Sequence, residues 1–428
     1  MLNDKIYALG KKLYPLNRSI TGKETLKSLK LIKKEIPRLK IKFIKSKIKI
    51  FDWVVPSEWN VKKAYVIDKF GKKIIDLKNH NLHLVGYSVP VKKKINKDQL
   101  LQKIYSLKKQ RNAIPYVTSY YKKHWGFCTT HNQKKEIERN YKSKDKFSIV
   151  IDSSFNNKGK LNYGEVIIPG KEKKEILIST YICHPQMANN ELSGPLVTTA
   201  LVKYFFKKKN NKTLRFIFVP ETIGSIAYIK KNLEYLKRYT IGGYVLSCIG
   251  DDKEYSLIST KYGNSNSDFA AIQAFKKLKI NYKKYSFLER GSDERQFNSP
   301  GVDLPIASIL RTKYGEYPEY HTSLDNFKLV TKKGLNGGFK VSKTAIENLL
   351  NYEIPFSKYL CEPKLQKKNL YNHISFKGKS KKFSRNLLNF LQYADGKNNL
   401  QKISKLIKLS GLETRRIWKI LKKNKLVN

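Results

Sequence analysis

Two histidines and several carboxylates in this chain have the types and surroundings that hydrolytic chemistry needs. His184 stands in TYICHPQMANNELSG, with Asn189, Asn190 and Glu191 just behind it. Glu221 stands in RFIFVPETIGS, Asp251 and Asp252 follow GGYVLSCIG, and His321 stands in EYHTSLDN. Neutral imidazoles and carboxylates ligate Zn²⁺, and an open coordination position holds water. A carboxylate outside the coordination shell then takes the proton of that water. Each residue also has a plainer reading. A single strand-end histidine is more often a hydrogen-bonded structural residue. Glu221 suits a helix cap, Asp251-Asp252 a turn, and His321-Thr322 another cap. Nucleophilic catalysis has weaker support. Ser193 is not in a GxSxG elbow, and Cys183 and His184, as strand neighbours, are expected on opposite faces. There is no Walker loop and no GxGxxG.

The four sites share one kind of position. Each follows an apolar, β-branched run: EILISTYIC, LRFIFVPE, GGYVLSCIG and LPIASILRT. Between these runs lie helical patterns, PLVTTALVKYFFKK, SIAYIKKNLEYLKR and SDFAAIQAFKKLK. Alternation of this kind predicts a largely parallel sheet flanked by helices. Ligands in such sheets bind at the carboxyl ends of the strands. Independent structural residues have no reason to collect at that edge together.

The rest of the chain reads differently. Residues 1–45 read as two helices. Residues 46–149 carry short strand-like pieces (KIKIFDWVV, KKAYVIDKFG, LHLVGYSVPV, FSIVID) and read as a small β-rich insertion into an α/β domain made of 1–45 and 150–350. Residues 354–428 hold three short helical patterns, with a glycine turn before the third, as in a winged helix-turn-helix. In that third helix Arg415, Arg416, Lys419, Lys422 and Lys423 would face phosphates if it entered a major groove. Docking or homo-oligomerisation is the favoured role over nucleic-acid binding.

Composition sets the outer bounds. The 428 residues are 40% hydrophobic and 12% aromatic, which excludes a disordered chain. No apolar run approaches the roughly 18 residues of a membrane span, so no membrane partner is expected. The N-terminal stretch lacks an apolar h-region, and the four cysteines form no CxxC, so a reducing cytoplasm is the expected compartment. The net charge of +53 comes mostly from lysine spread along the whole chain. Lysine, asparagine, isoleucine and tyrosine are abundant together, the signature of an AT-rich coding sequence more than of a dedicated nucleic-acid surface.

HPQMANNELSG, PETIGS, GSDERQF and YHTSLDN, in that order and at strand ends, resemble the zinc aminopeptidases of the phosphorylase/hydrolase-like α/β fold. More closely, the chain is similar to bacterial aminopeptidase-like proteins with a small inserted β-domain, for which HWGFCTTHNQ is the signature, and a C-terminal winged helix. The resemblance covers nearly the whole chain. It implies a zinc-peptidase-like mixed sheet, one or two zinc ions, and His184 and His321 as ligands. It further implies Asn190 at the position of a bridging aspartate, an acidic ligand near Asp251, and Glu221 as the general base. Two departures stand out: Asn190 is neutral, and Thr222 replaces a glutamate ligand. Glu191 is the adjacent substitute. Both departures favour one metal over two, or a site that binds without turnover.

The resemblance also places Asp293, Glu294, Arg295 and Tyr320 around the substrate. An acid there would hold an amino group, and Arg295 a carboxylate or sugar acid; the plain reading is a surface turn with a local ion pair. The expected activity is hydrolysis of an amide in a small peptide or an aminoacyl or amido sugar, in surface polysaccharide biosynthesis. The alternatives are an inactive binding or scaffold protein on the same fold, and a ligand-sensing DNA-binding regulator.

Overall fold

The chain begins with two helices, α1 (Asp4–Leu13) and α2 (Lys23–Glu35), and then enters a strand, β1 (Lys40–Lys45). That strand corrects the all-helical expectation for residues 1–45. KIKFIK alternates with period two, and β1 pairs antiparallel with β10 (Lys160–Ile168) through Ile41 opposite Gly164. The computed structural model describes residues 4–370 and 379–428. It separates into two units, Met1–Ile346 and Glu347–Asn428.

Between β1 and β10 lies the insertion. It contains β2 (Lys49–Ile50), β3 (Trp53–Val54), β4 (Glu58–Ile67), β5 (Lys73–Asp76) and β6 (Val91–Asn96). Helix α3 (Lys97–Leu101), β7 (Ile104–Tyr105), β8 (Phe127–Cys128), helix α4 (His131–Asn140) and β9 (Lys146–Asn156) complete it. Strands β5-β4-β9-β6 form an antiparallel sheet, and β9 carries it past residue 149. LHLVGYSVPV, expected as a strand, is a short 3₁₀ turn and irregular chain held by isolated bridges from Leu84 and Gly86. The core of the insertion runs on into the first turns of α6 (Ile223–Tyr239) through Ile223, Ile226 and Ala227.

The main sheet has eight strands. Beyond β10 come β11 (Glu172–Tyr181), helix α5 (Ser193–Phe205), β12 (Lys212–Val219), α6 and β13 (Thr240–Leu246). Next are β14 (Ser256–Ile258), helix α7 (Asn266–Leu278), β15 (Lys283–Tyr285), a single-turn α8 (Glu294–Phe297), β16 (Ile306–Leu310) and helix α9 (Lys332–Leu350). The strand order is β1-β10-β12-β11-β13-β16-β14-β15. The central four, β12, β11, β13 and β16, are mutually parallel, and antiparallel neighbours flank them. This is the mixed, helix-flanked sheet of the zinc-peptidase-like fold. Burial on both faces explains the unbroken apolar runs of β12 and β13. Tyr181 stands opposite Val219, and Ser179 opposite Val245, so the carboxyl ends of β11, β12 and β13 align.

One polar cluster interrupts this core. Arg215 on β12 donates from Nε to Glu175 on β11 (2.9 and 3.0 Å) and from Nη1 to Glu165 on β10 (2.8 Å). Tyr228 on α6 donates to the same Glu165 at 2.6 Å.

The second unit holds helices α10 (Lys379–Gln392), α11 (Leu400–Leu406) and α12 (Gly411–Lys423) around Leu387, Phe390, Ile403, Ile417 and Leu421. Isolated bridges from Phe356 to Asp395 and from Ser357 to Val427 close it, and the arrangement is a winged helix. On α12 the buried face is Thr414, Ile417 and Leu421, while Arg415, Arg416, Lys419, Lys422 and Lys423 are exposed. Among the described residues no helix is long and apolar enough to cross a membrane.

Candidate metal centre

His184 sits just past the end of β11 and is almost fully buried. Its Nδ1 donates to Glu191 Oε2 at 2.7 Å, and the other Glu191 oxygen accepts the backbone N–H of Cys183. A carboxylate behind one ring nitrogen fixes the tautomer and leaves Nε2 for the site. Burial opposes the charged imidazole, but the contacts to Cys183 and Glu191 outweigh it and hold the His184 pKa above its ordinary value, so a cation at Nε2 would displace a proton. His184 Nε2 lies 3.5 Å from Glu221 Oε2.

Cys183 and His184 do not point apart. Strand β11 ends at Tyr181, so strand alternation no longer applies, and Cys183 Sγ lies 3.4 Å from His184 Nδ1. Cys183 Sγ, a His184 nitrogen and a Glu191 oxygen come within 4.8 Å of one another, which is ligand spacing. These atoms are bonded to each other, however, and burial pushes the Cys183 thiol up to about 12. Cys183 is therefore a neutral packing group that accepts the Glu221 N–H at 3.2 Å.

Glu221 is aimed by a strained turn. Thr222 has φ 62° and ψ −79°, and the N–H of Ile223 donates to Glu221 O at 2.8 Å. That is a γ-turn of the rare, strained hand, in a β-branched residue. It swings the glutamate out of β12 just before α6 begins. The Glu221 side chain is 21% exposed, and burial raises its carboxyl above the ordinary range.

His321 reaches the same place from the far end of the unit. Its ring centroid lies 5.6 Å from that of His184. Its backbone is left-handed (φ 54°) and its ring is stacked on Tyr320 at 3.9 Å. Burial and the neighbouring His184 depress its pKa to about 3, so it is neutral, as a metal ligand must be. His321 Nε2 is buried without a hydrogen-bond partner, and so is Asn190 Oδ1. Most buried polar atoms in folded proteins are paired. The open imidazole nitrogen of His321, beside His184, is a donor of the kind that holds a cation.

The remaining candidates have other positions. Both oxygens of Asp251 are engaged, by Thr312 N and Oγ1, by Lys253 N and by Asn189 Nδ2. Asn189 Oδ1 in turn accepts the N–H groups of Gly250 and Asp251, so this pair ties two strand-end loops together. Glu294 accepts from Gly291 N, Ser292 N and Tyr314 Oη on one oxygen and from Ser308 Oγ on the other. Asp293 accepts from Thr222 N and Ser225 Oγ, while its second oxygen is buried and unpartnered. Burial and the neighbouring Glu221 raise its carboxyl to about 8. Arg295 Nη2 donates to Thr222 Oγ1 at 2.6 Å. A guanidinium thus sits against Thr222, and its charge opposes a second cation there. His184, His321 and the Asn190 oxygen are donors of the types that suit one metal ion.

Two further residues complete the site without a local sequence signal. Asp325, in the same YHTSLDN stretch, accepts the backbone N–H groups of Ala188, Asn189 and Asn190. It pins the π-helical turn Ala188–Leu192 that carries Asn190. The Asn190 amide donates to Tyr181 Oη at 3.0 Å, which sends its oxygen the other way. Tyr116 comes from the insertion. Its ring packs edge-on to both His184 (5.1 Å) and His321 (5.3 Å), and its N–H donates to His321 O at 2.9 Å. The turn chemistry of TSLDN was a cue to Asp325; nothing near Tyr116 marks it.

Residues 7–353 match the model of a domain of unknown function, DUF4910, and residues 355–428 that of a winged helix-turn-helix. A Clostridium acetobutylicum protein, named for polysaccharide biosynthesis and for its aminopeptidase-like domain, is 40% identical over 415 residues, 96% of this chain and 93% of the relative. A crystal structure from the same organism, described as that of a peptidase, superposes with a TM-score of 0.79 at 37% identity and covers 99% of this chain and 96% of that one. The zinc aminopeptidase of Bacillus subtilis shares the fold, with a TM-score of 0.59 at 13% identity over 82% of this chain and 96% of that one.

Proposed function

We propose a metal-dependent amidohydrolase function for this chain, which belongs to the DUF4910 family of aminopeptidase-like proteins. The observation that carries it is the meeting of Glu221 Oε2 with His184 Nε2 at 3.5 Å, beside the unpartnered Nε2 of His321. One zinc ion held by His184, His321 and Asn190 would supply Lewis-acid chemistry to the site. Glu221 Oε2 accepts the proton of the attacking water and passes it to the leaving nitrogen. Burial raises its pKa, which makes it a better proton acceptor than an exposed glutamate. Glu191 holds His184 in one tautomer, and Tyr116 and Tyr320 wall the histidine pair from solvent. The unpartnered oxygen of Asp293 serves a substrate amino group.

The relative's name supports a role in polysaccharide biosynthesis. An aminoacyl or amido sugar is the substrate on this reading, and the cytoplasm the compartment. The winged helix serves docking. The neutral Asn190 favours a second reading, a binding protein without turnover. The deciding experiment measures zinc per chain in the wild type, His184→Ala and His321→Ala, alongside amide turnover of aminoacyl p-nitroanilides and N-acyl amino sugars. About one zinc, lost in both variants, is expected. Glu221→Gln should keep the zinc and lose at least roughly 100-fold in kcat. A folded wild type that retains no metal overturns the proposal, and metal without turnover of any amide supports the binding reading.

A further inference from the structure

Tyr120 belongs to two places. Its hydroxyl lies 3.2 Å from that of Tyr116 at the histidine pair, and it also lines a separate cavity of about 400 Å³ in the inserted region. That volume falls in the usual small-ligand range of roughly 300–1,000 Å³. Tyr87, Tyr121 and Phe155 line it as well, so four of its thirteen lining residues are aromatic, against 12% in the chain. Tyr121 is 55% exposed and Phe155 40%, so ring faces are open to solvent. Clustered exposed apolar surface of this kind marks a binding site.

The backbone adds an independent observation. Lys47 (φ 68°), Tyr87 (φ 62°) and Tyr120 (φ 21°) all line this cavity in the left-handed region. Bulky residues rarely adopt it, and such strain gathers at ligand clamps. Charge is one-sided too. Lys47, Lys122 and Lys123 line the cavity and no carboxylate does. In so lysine-rich a chain three lysines carry little weight alone, but the lack of an acid beside the open rings selects an anion.

The rings also limit the ligand's shape. They meet at steep angles, 74° for Tyr87 with Tyr120 and 58° for Tyr87 with Phe155, and Trp53 is tilted 48° to Tyr121. Tyr87 is buried and stacked on Trp59 at 18°, so these rings leave no parallel slot for a nucleobase. The exposed rings of Tyr121 and Phe155 suit the apolar side of a sugar ring. Ser57 donates to Asn157 Oδ1 at 2.7 Å, which leaves the Asn157 NH₂ and the Ser57 lone pairs for hydroxyls.

We propose that this pocket binds a sugar ring bearing a carboxylate or a phosphate, as the remote portion of the substrate. The link to turnover rests on the function proposed above; the binding itself does not. Calorimetric titration of the full chain with glucose 1-phosphate, glucuronate, glucose, inorganic phosphate and uridine monophosphate tests it. At least one of the two anionic sugars should bind about tenfold tighter than glucose and than phosphate. Tyr121→Ala and the Lys122→Ala/Lys123→Ala double variant, both at exposed positions, should each weaken it about tenfold. His184→Ala should leave it unchanged. Anionic sugars that bind no better than glucose or phosphate overturn the proposal. So does tighter binding of uridine monophosphate, or an affinity that the pocket variants do not change. A chain without amidase activity can still pass this test, so the two readings fail separately.

Discussion

Asp325→Ala should loosen the Ala188–Leu192 turn and, with it, the candidate centre. The carboxylate accepts three backbone N–H groups, all buried. Ala188 N–H keeps the Asp325 backbone oxygen at 2.9 Å, so removing the carboxylate strands two donors, Asn189 and Asn190, each costing about 1–3 kcal/mol when unsatisfied. Water entering the vacated space recovers part of that, leaving roughly 2–4 kcal/mol. For a unit of this size a kilocalorie moves Tm by at most about 2 °C, so the midpoint should fall by up to roughly 4–8 °C. Asp325→Asn sharpens the test. Its one carbonyl oxygen can still serve Ala188 and Asn189, as Oδ1 does now, but its NH₂ faces the Asn190 N–H. The cost should be about 1–3 kcal/mol, concentrated on the residue whose free oxygen faces the site. Differential scanning calorimetry of the metal-free protein gives the stability ranking, and zinc titration gives the affinity. Asp325→Ala within 1 kcal/mol of the wild type, or equal effects of the two variants, would refute the pinning argument.

Two other outcomes follow from groups away from the centre. Arg215→Met should destabilise by about 3–5 kcal/mol, because it takes the guanidinium from buried Glu175, while Glu165 keeps Lys42. Adding Glu175→Leu should restore most of the loss in urea unfolding, and no recovery would show that the cluster is held by something else. His80 is pushed down to about 4, first by burial and then by His83, so its folded value lies below the unfolded one. Its contribution is therefore present above about pH 6.5 and lost as pH falls towards 4. His80→Asn keeps an acceptor for Leu82 N–H but does not titrate, and should flatten the urea midpoint across that window. An unchanged slope would remove His80 from the account.

The sheet and its active edge were readable because burial on two faces forces apolar, β-branched runs, and each ends abruptly in a polar residue at 184, 221 and 251. The alternation of those runs with helices gave the parallel centre. What escaped was set by distant contacts. Strand β1 looked like a helix tail because Lys and Ile alternate in it as readily as they repeat every fourth position. Strands β14 and β15, three residues each, are too short to show a period. Asp251 has the right type and place for a ligand, but Thr312 and Asn189, far along the chain, claim its oxygens. Tyr116 reaches the histidines only because Pro115 bridges to Thr322 and Ile114 bonds Ser323.

That last stitch bears on how the protein is made. Ile114 and Ser323 are 209 positions apart, and Ala188 lies 137 before the carboxylate that pins it. At synthesis speeds of about 5–20 residues per second, the loop carrying Asn190 leaves the ribosome roughly 7–27 s before Asp325 exists. During that interval the growing chain has His184 but neither its partner histidine nor a fixed loop. The proposed centre cannot be loaded before that stretch is made. Metal uptake, on this reading, waits until both ends of the main domain have come together.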